Sequence, residues 1–215
     1  MRVEIWSDIA CPWCYIGKRR FDVALSRFEH RDAVEVRYRS FELDPSAAKY
    51  RELAYLDHLM AKYGISVAEA DAMIDTMIEA GARNGVVLRF DKAKPGNTFD
   101  AHRLLHLGAA RGVQAELKER LFRATFTKGA AIADHDVLVA AAVDAGLDAA
   151  EAGEMLAGEA YAGDVRADEQ RAADLGITSV PFFVMAGLGV SGAQPPDILL
   201  EVLQDAWAET VAYRS

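Results

Sequence analysis

Apolar and polar residues alternate along two short segments near the start of the chain, residues 3–8 and residues 34–39. A repeat of two residues is typical of a β-strand with one buried face, so each segment predicts a strand. Between them, apolar residues recur at helical spacing and basic residues occupy the opposite side. The apolar positions of this predicted helix are Ile16, Phe21, Ala24, Leu25 and Phe28. The order strand, helix, strand predicts a β-α-β unit that ends near residues 41–45.

The alternation disappears after residue 45, and the apolar residues then follow a helical repeat interrupted by Gly, Asp and Asn. This repeat predicts helices over residues 47–63, 66–84, 98–111, 114–127, 136–145 and 148–156. The remaining predicted elements are a charged helix over 164–175, a buried strand over 176–185, a glycine-rich hairpin returning through Leu188 and Val190, and a helix over 197–213. The sequence therefore predicts an α/β protein in which residues 1–45 and 160–215 form one domain and residues 46–159 an inserted helical domain.

The composition is that of an ordinary globular protein. The 215 residues are 52% hydrophobic, which suffices for a full core without disulfide cross-links. The formal net charge is -9 and the basic residues are scattered among acidic ones, which argues against a nucleic-acid partner. Charges at positions 2, 4 and 8 interrupt any signal-peptide core, and no later segment is a membrane-length apolar run. We therefore expect a cytoplasmic protein without membrane contact, as a monomer or a homodimer.

The chain contains two cysteines, Cys11 and Cys14, separated by Pro12 and Trp13 at the end of the first predicted strand. This spacing brings both sulfur atoms into one helical turn, so that one thiol attacks a disulfide and the other resolves the mixed disulfide. A helix that begins here also presents free amides and the positive end of its dipole, which stabilise the reactive thiolate. The motif predicts an acidic thiol at Cys11 and thiol–disulfide exchange.

Two other interpretations of the Cys-x-x-Cys spacing are open. A structural zinc site needs four ligands, and with no second cysteine pair histidines would have to complete it. A structural disulfide that closes so short a loop contributes little stability. In a reducing compartment the spacing favours a redox-active pair, and we expect no bound metal or cofactor.

Four motifs resemble the FrnE-like branch of the DsbA family. They are SDIACPWCYIG at residues 7–17, FELDP at 41–45, NTFDAHRL at 97–104 and SGAQ at 191–194. The resemblance covers nearly every region of the chain and implies a thioredoxin fold with a large all-helical insertion. It also implies a protein thiol–disulfide oxidoreductase or isomerase in which Cys11 is the exposed nucleophile and Cys14 the buried resolving thiol. The expected partner is a disulfide-containing protein or a low-molecular-weight thiol, and glutathione as a redox partner is chemically open.

The resemblance implies a cis peptide bond between Val180 and Pro181, opposite the dithiol. Such a bond leaves the backbone amide and carbonyl of Val180 free to pair with an extended substrate. We expect Pro12, Trp13 and Val180 to contact that substrate. The alternative is an ordinary proline at the start of a strand.

The resemblance also implies that the helix beginning near Asn97 lies over the dithiol, so that Asn97 and His102 line the substrate groove. From the residues alone, Asn97 and Thr98 form a helix cap, and His102 with His106 form a surface pair or bind a metal ion. Asp8 either assists proton transfer from the buried thiol or is a loop acid attracted by the helix dipole, the interpretation we favour.

The same fold also occurs in glutathione-using proteins, the kappa-class transferases and the 2-hydroxychromene-2-carboxylate isomerases. These relatives typically carry Ser at the first active-site position and a Ser-Asp pair in the late loop, where this chain has Cys11 and Ala193-Gln194. A glutathione-dependent small-molecule isomerase or transferase is therefore the alternative function. A non-catalytic adaptor that docks through the helical insertion is a third interpretation.

The residues between the cysteines indicate the direction of the reaction. Reduction potentials of related dithiols range from about -270 mV to about -120 mV, and Pro-Trp is closer to the oxidising Pro-His type than to the reducing Gly-Pro type. If the potential is near the upper limit, the cytosolic glutathione pool lies roughly 100 mV or more below it. We therefore expect a resting dithiol that reduces or isomerises disulfides.

Overall fold

The structure is a computed structural model that describes residues 1–50 and 53–212. In this part of the chain four strands form one mixed sheet in the order β2-β1-β3-β4. The strands are β1 (Arg2–Ser7), β2 (Glu35–Ser40), β3 (Phe182–Met185) and β4 (Leu188–Ser191). β2 runs parallel to β1, whereas β3 is antiparallel to both β1 and β4. The structure thus confirms the β-α-β unit and the late hairpin that the sequence predicts.

Nine α-helices surround this sheet within the described residues. They are α1 (Pro12–Arg27), α2 (Tyr55–Tyr63), α3 (Val67–Arg83), α4 (Phe99–Ala110), α5 (Gln114–Phe122), α6 (His135–Asp144), α7 (Ala149–Ala157), α8 (Ala162–Asp174) and α9 (Pro196–Ala212). A 3-10 turn (Arg31–Ala33) precedes β2, and a π-helical segment (Arg123–Lys128) continues α5. None of the helices in the described ranges is long and apolar enough to cross a membrane.

The alternation of side chains in β1 separates two apolar clusters, one on each face of the sheet. Val3 and Ile5 pack with residues of α1 and α9. On the opposite face, Trp6 packs against Ala172 of α8, and its indole N–H donates to the carbonyl oxygen of Asp168 at 3.0 Å. Helices therefore cover both faces of β1, which makes it a buried central strand.

A third apolar cluster fills the helical region and reaches the start of α1. It contains Cys11, Cys14 and Ile16 of the first unit together with Leu104 of α4 and Leu121 of α5. The dithiol segment is therefore packed on the core of the inserted helices. The proposed domain boundaries at residues 45/46 and 159/160 remain a prediction.

Several predicted boundaries are wrong. The helix predicted from residue 47 begins at Tyr55; residues 47–50 are not helical, and residues 51–52 lie outside the described part of the chain. The predicted buried strand over 176–185 is reduced to β3, because the residues before it form the turn that carries Pro181. The sequence predicts that the final helix ends at residue 213. The structure describes it as far as Ala212, and residue 213 lies outside the described part of the chain.

Candidate active site

The dithiol lies where β1 passes into α1. β1 ends at Ser7, and a turn closed by a hydrogen bond from the Cys11 amide to the Asp8 carbonyl oxygen (3.2 Å) leads into the helix. Cys11 is the N-cap residue, with extended backbone angles, and its Sγ accepts a hydrogen bond from the Cys14 amide at 3.3 Å. Pro12 occupies the first helical turn, where its fixed φ and missing N–H cost nothing. The first sulfur thus takes the place of an oxygen-bearing cap side chain, at the positive end of the helix dipole.

Both cysteines are free thiols, and both are buried. Cys14 is 2% exposed, as expected for a resolving thiol, but Cys11 is only 6% exposed. The expectation of an exposed Cys11 is therefore wrong for this structure. The reason is the loop before β3, since the Cys11 thiol donates to the Val180 carbonyl oxygen at 3.7 Å. Cys11 forms part of the wall of a cleft and does not project from the surface.

The peptide bond between Val180 and Pro181 is cis, which confirms the conformation that the family resemblance implies. We also expected a free Val180 carbonyl. In the structure this carbonyl oxygen accepts a hydrogen bond from the Cys11 thiol, so that prediction is wrong. Pro181 packs against α1 at Gly17, where an added Cβ would lie 2.9 Å from the Pro181 ring. The Arg20 guanidinium, one turn further along α1, donates to the Ala193 carbonyl oxygen. The active-site helix is therefore in direct contact with both the cis-proline loop and the segment after β4.

A cleft of about 590 Å³ opens beside the dithiol, between the cis-proline loop and the helices α2 and α3. Cys11, Pro12, Trp13 and Val180 line it. The far wall is mostly apolar and aromatic; it includes Leu43, Tyr55, Leu59, Tyr63, Met73 and Met77. The structure therefore brings the predicted contacts Pro12, Trp13 and Val180 together around one opening.

Asn97 and His102 do not line this cleft. The Asn97 side chain accepts from the Phe99 amide at 2.9 Å, so it caps the start of α4. His102 is 0% exposed, and its Nε2 lies 3.3 Å from Asp8 Oδ1. The structure thus supports the cap interpretation for Asn97, whereas His102 lies behind Asp8, away from the substrate side. His106 faces Ser40 and Asp168, so the two histidines have different partners.

Asp8 is 1% exposed and is held as a carboxylate. Burial alone would raise its pKa, but hydrogen bonds and charge from His102, the Leu43 amide (2.8 Å) and the Thr98 hydroxyl outweigh it and lower that pKa. Burial lowers the pKa of His102, against the opposing effect of Asp8. Because a carboxylate has no proton to give, His102 donates from Nε2 to Asp8. We expected Asp8 to be a loop acid attracted by the helix dipole. In the structure it is a buried anion held by hydrogen bonds from His102 and the Leu43 amide.

Cys14 is protonated at rest. Burial raises the pKa of its thiol well above the ordinary value, and the hydrogen bond and charge of Cys11 act in the same direction. The two sulfurs therefore differ in their surroundings, since Cys11 Sγ accepts the helix amide whereas burial disfavours a charge on Cys14.

Sequence reasoning missed Lys118 of α5, which is 0% exposed and lies behind the dithiol. Its Nζ donates to the Ser7 carbonyl oxygen at 3.5 Å and lies over the rings of Tyr38 and Phe122, 5.8 Å and 5.2 Å from their centroids. A signal was present in the sequence, because Lys118 falls on the same helical face as Leu121 and Phe122. A charged residue on an apolar face is unusual enough to mark as a candidate.

Sequence reasoning also missed Glu42, in the segment that forms one wall of the cleft. Its side chain is fully buried and contacts Arg166 at 2.6 Å, while Glu169 accepts from its backbone amide at 3.3 Å. Burial raises the pKa of Glu42 to about 7; the charge of Glu169 adds to the rise and Arg166 opposes it. No three His, Cys, Asp or Glu side chains of the described residues are placed to hold a metal ion.

These features define a class of protein: a thioredoxin-fold protein with a Cys-x-x-Cys dithiol at the N-terminus of its first helix and a cis-proline opposite. The chain belongs to the DSBA-like thioredoxin domain family, which matches residues 2–204. This confirms the resemblance to the DsbA family and the DsbA-like thioredoxin fold. It is accordingly a member of a DsbA-like oxidoreductase family.

The structure is similar to the crystal structure of a probable DsbA oxidoreductase from Streptomyces coelicolor, with a TM-score of 0.92 and 50% sequence identity over 97% of this chain and 91% of that one. Two further solved structures share the fold alone. One is a 2-hydroxychromene-2-carboxylate isomerase, with a TM-score of 0.72 and 15% sequence identity over all of both chains. The other is the cytosolic disulfide reductase DsbM from Pseudomonas aeruginosa, with a TM-score of 0.65 and 18% sequence identity over 99% of this chain and 98% of that one. The uncharacterised protein YwbO of Bacillus subtilis is 28% identical over 208 residues, 95% of this chain and 96% of YwbO.

Proposed function

We propose that this protein is a thiol–disulfide oxidoreductase and disulfide isomerase that acts as a cytoplasmic dithiol through Cys11 and Cys14. One observation carries the proposal: Cys11 Sγ accepts the amide of Cys14 at the helix N-cap and lies 3.7 Å from the carbonyl before a cis-proline. The helix terminus favours a thiolate, and the cis-proline loop presents backbone for a substrate. Membership of the DsbA-like family supports the oxidoreductase class.

The reaction proceeds in two exchanges. The Cys11 thiolate attacks one sulfur of the substrate disulfide, forms a mixed disulfide and releases the other substrate sulfur as a thiolate. Cys14 then loses its proton to that released thiolate and attacks Cys11, so that the Cys11–Cys14 disulfide forms and the second substrate sulfur leaves and is protonated from solvent. The protein is oxidised by two electrons and the substrate is reduced by two. Isomerisation follows when a substrate thiolate attacks the mixed disulfide before Cys14 does.

The contact between Cys11 and Val180 couples ionisation to substrate binding. A Cys11 thiol donates to the Val180 carbonyl oxygen, whereas a thiolate has no proton to donate. Ionisation of Cys11 therefore frees this carbonyl for a backbone N–H of the substrate. In this proposal Pro12, Trp13 and Val180 contact the substrate, and Asp8 and His102 support the turn beneath Cys11.

The cleft accommodates two classes of disulfide. Its volume of about 590 Å³ is within the range of small-molecule sites, roughly 300–1,000 Å³, and its open side admits an extended polypeptide segment. We propose protein disulfides as substrates and glutathione as the redox partner. The structure of the cytosolic reductase DsbM was determined with GSH, which is compatible with the latter and with a cytoplasmic location.

The test uses the cysteine variants. Cys14→Ser should accumulate a stable mixed disulfide with a disulfide-bonded model peptide, detected by mass spectrometry, because the resolving sulfur is missing. Cys11→Ser should form none, and both variants should lose reduction of the peptide in a glutathione-coupled assay. The matched control is Ser26→Ala on the exposed side of α1, which should keep full activity.

The glutathione-dependent isomerase alternative makes the opposite prediction. That chemistry needs no second sulfur, so Cys14→Ser would keep full turnover and no protein mixed disulfide would accumulate. Either result would overturn the proposed dithiol mechanism. Retention of full biological activity by Cys11→Ser would instead support the adaptor interpretation.

A further inference from the structure

Lys118 is a buried cation without a buried anion at its side. Its side chain is 0% exposed, yet its Nζ forms no ion pair with a carboxylate of the described residues. Its contacts are one carbonyl oxygen at 3.5 Å and two aromatic rings. Such contacts compensate only part of the cost of removing an ammonium group from water. A fully buried lysine normally has an ion-pair partner, so this one needs an explanation.

Charged and titratable groups face Lys118 from every element packed around it. Cys11, Cys14 and the carboxylate of Asp8 favour its charged form. Lys18 of α1 opposes it, and Lys118 in turn opposes a charge on His102 of α4. From β2 and its own helix it receives only the aromatic rings already described. Asp8 is committed to His102 and to the Leu43 amide, which leaves the two cysteines as the groups whose charge changes during the reaction.

We propose that Lys118 is a positioning residue whose counter-ion is the thiolate of the Cys11–Cys14 pair, so that this residue sets the balance between dithiol and disulfide. The inference rests on the proposed function. When the pair is reduced, one sulfur carries a negative charge near the ammonium group. When the disulfide forms, that charge disappears, and of these groups only the Asp8 carboxylate still favours the buried ammonium. Lys118 therefore stabilises the reduced form relative to the oxidised form and makes the protein a stronger oxidant than it would otherwise be.

The same cation acts during the second exchange. As the Cys14 proton passes to the released substrate thiolate, negative charge develops on a sulfur whose burial disfavours it, and Lys118 lowers the energy of that charge. Burial lowers the pKa of Lys118 to about 8, so it is mainly protonated at neutral pH and acts as a cation. Loss of the thiolate on oxidation lowers that pKa further.

Lys118→Met tests the proposal because methionine keeps most of the volume and removes the charge. We expect the equilibrium with glutathione to shift about tenfold toward the Cys11–Cys14 disulfide, which for a two-electron couple is a potential lower by about 30 mV. The matched control is Lys18→Met. Lys18 is also nearly buried, but it is paired with Asp22 and Glu119 at 2.8 Å and 3.3 Å. Its replacement should affect both redox forms alike and leave the equilibrium within about a factor of three.

A folded Lys118→Met protein with an unchanged equilibrium, or one shifted toward the dithiol, overturns the proposal. If Lys118→Met does not fold, NMR of isotope-labelled lysine in the wild-type protein decides. The Lys118 resonance should titrate at lower pH in the disulfide form than in the dithiol form, and identical titrations would refute the coupling. A protein that never forms the Cys11–Cys14 disulfide would instead refute the proposed function, so the two failures are distinct.

Discussion

Gly17 controls how closely α1 approaches the cis-proline loop. A Cβ added there would lie 2.9 Å from Pro181 Cγ and 3.4 Å from Ala193 Cβ, and neither neighbour is the end of a flexible chain. A side chain at position 17 therefore has to move the loop that carries Val180, whose carbonyl contacts Cys11. Gly17 was visible in the sequence only as a motif position, because its contact is with residues more than 160 positions away.

Gly17→Ala should lower the proposed disulfide reductase activity by roughly tenfold to a hundredfold, since a displacement of about 1 Å at a reacting site has effects of this size. The unfolding free energy should change little, because alanine favours the helix by about 1 kcal/mol relative to glycine and offsets part of the clash. The control is Gly153→Ala in α7, where an added Cβ meets nothing within 4 Å. Full activity of Gly17→Ala would show that the loop position is not important.

Residues of the site were predictable to different degrees. Cys11, Cys14, Pro12 and Trp13 are adjacent in sequence, so their chemistry and their place at a helix start follow from spacing alone. His102 was a candidate because of its motif, but only the packing of α4 on the turn at Asp8 shows that it is buried behind the dithiol. The burial of a side chain depends on which distant segments pack against it, and the spacing of neighbouring residues in the sequence does not contain that information.

The helix α5 is hydrogen-bonded to the edge of the sheet through the side chain of Gln114. Gln114, the first residue of α5, accepts from the Tyr38 amide at 3.0 Å and donates to the Tyr38 carbonyl oxygen at 2.9 Å. Tyr38 belongs to β2, which is an edge strand of the described sheet. The glutamine amide therefore replaces a neighbouring strand at this position and protects the edge. The same helix carries Lys118, so this contact also fixes where the buried cation lies.

Gln114→Ala should lower the unfolding free energy by about 2–3 kcal/mol, because it leaves a buried N–H and a buried C=O of Tyr38 without partners. Urea unfolding at neutral pH measures this difference. Gln170→Ala is the control, since Gln170 is exposed and bonds only within its own helix, to Asp174. A loss below about 0.5 kcal/mol for Gln114→Ala, the range of ordinary surface substitutions, would contradict the proposed role.

Local periodicity located most helices but misplaced the start of α2. Residues 47–50 have helical composition, yet their backbone bonds to a distant loop: the Asn97 amide donates to the Ala48 carbonyl oxygen at 3.0 Å. Gly96 lies so close to Lys49 that a Cβ would be 2.1 Å from its carbonyl oxygen. Contact between two loops thus overrides local helical preference, because packed backbone satisfies its hydrogen bonds elsewhere.

For the molecule as a whole, the free energy of unfolding depends on pH through two sets of buried carboxyl groups, one with lowered and one with raised pKa values. Glu4 and Asp168 are buried, but their arginine, histidine and amide partners outweigh the effect of burial and lower their pKa values. Their contribution is present above the ordinary carboxyl range and is lost as pH falls through the lowered values. Glu42 behaves in the opposite way, because its pKa is raised to about 7. Its contribution is present at low pH and is lost as pH rises from about 4.5 to about 7.

Glu42→Gln isolates the second effect. The variant should be more stable than the wild type by roughly 1 kcal/mol at pH near 8, and the difference should shrink toward pH 5, because glutamine carries no charge to bury. Urea unfolding at both pH values gives the two differences. Glu35→Gln, at a half-exposed position, is the control and should show no such trend. A Glu42→Gln difference that does not vary with pH would contradict a raised pKa for this group.

The sequence by itself determined the dithiol motif of this protein and the order of its elements. The dithiol, its helix, the strand alternation and the proline before β3 are encoded in residues close together in the chain, where spacing and backbone geometry decide the outcome. Only the tertiary structure decided which groups surround the sulfur atoms: that Cys11 is covered by the Val180 carbonyl, that His102 lies behind Asp8, and that Lys118 is a buried cation. These properties arise from contacts between segments that are distant in the sequence. Such contacts bury the side chains, and burial changes how readily each group carries a charge.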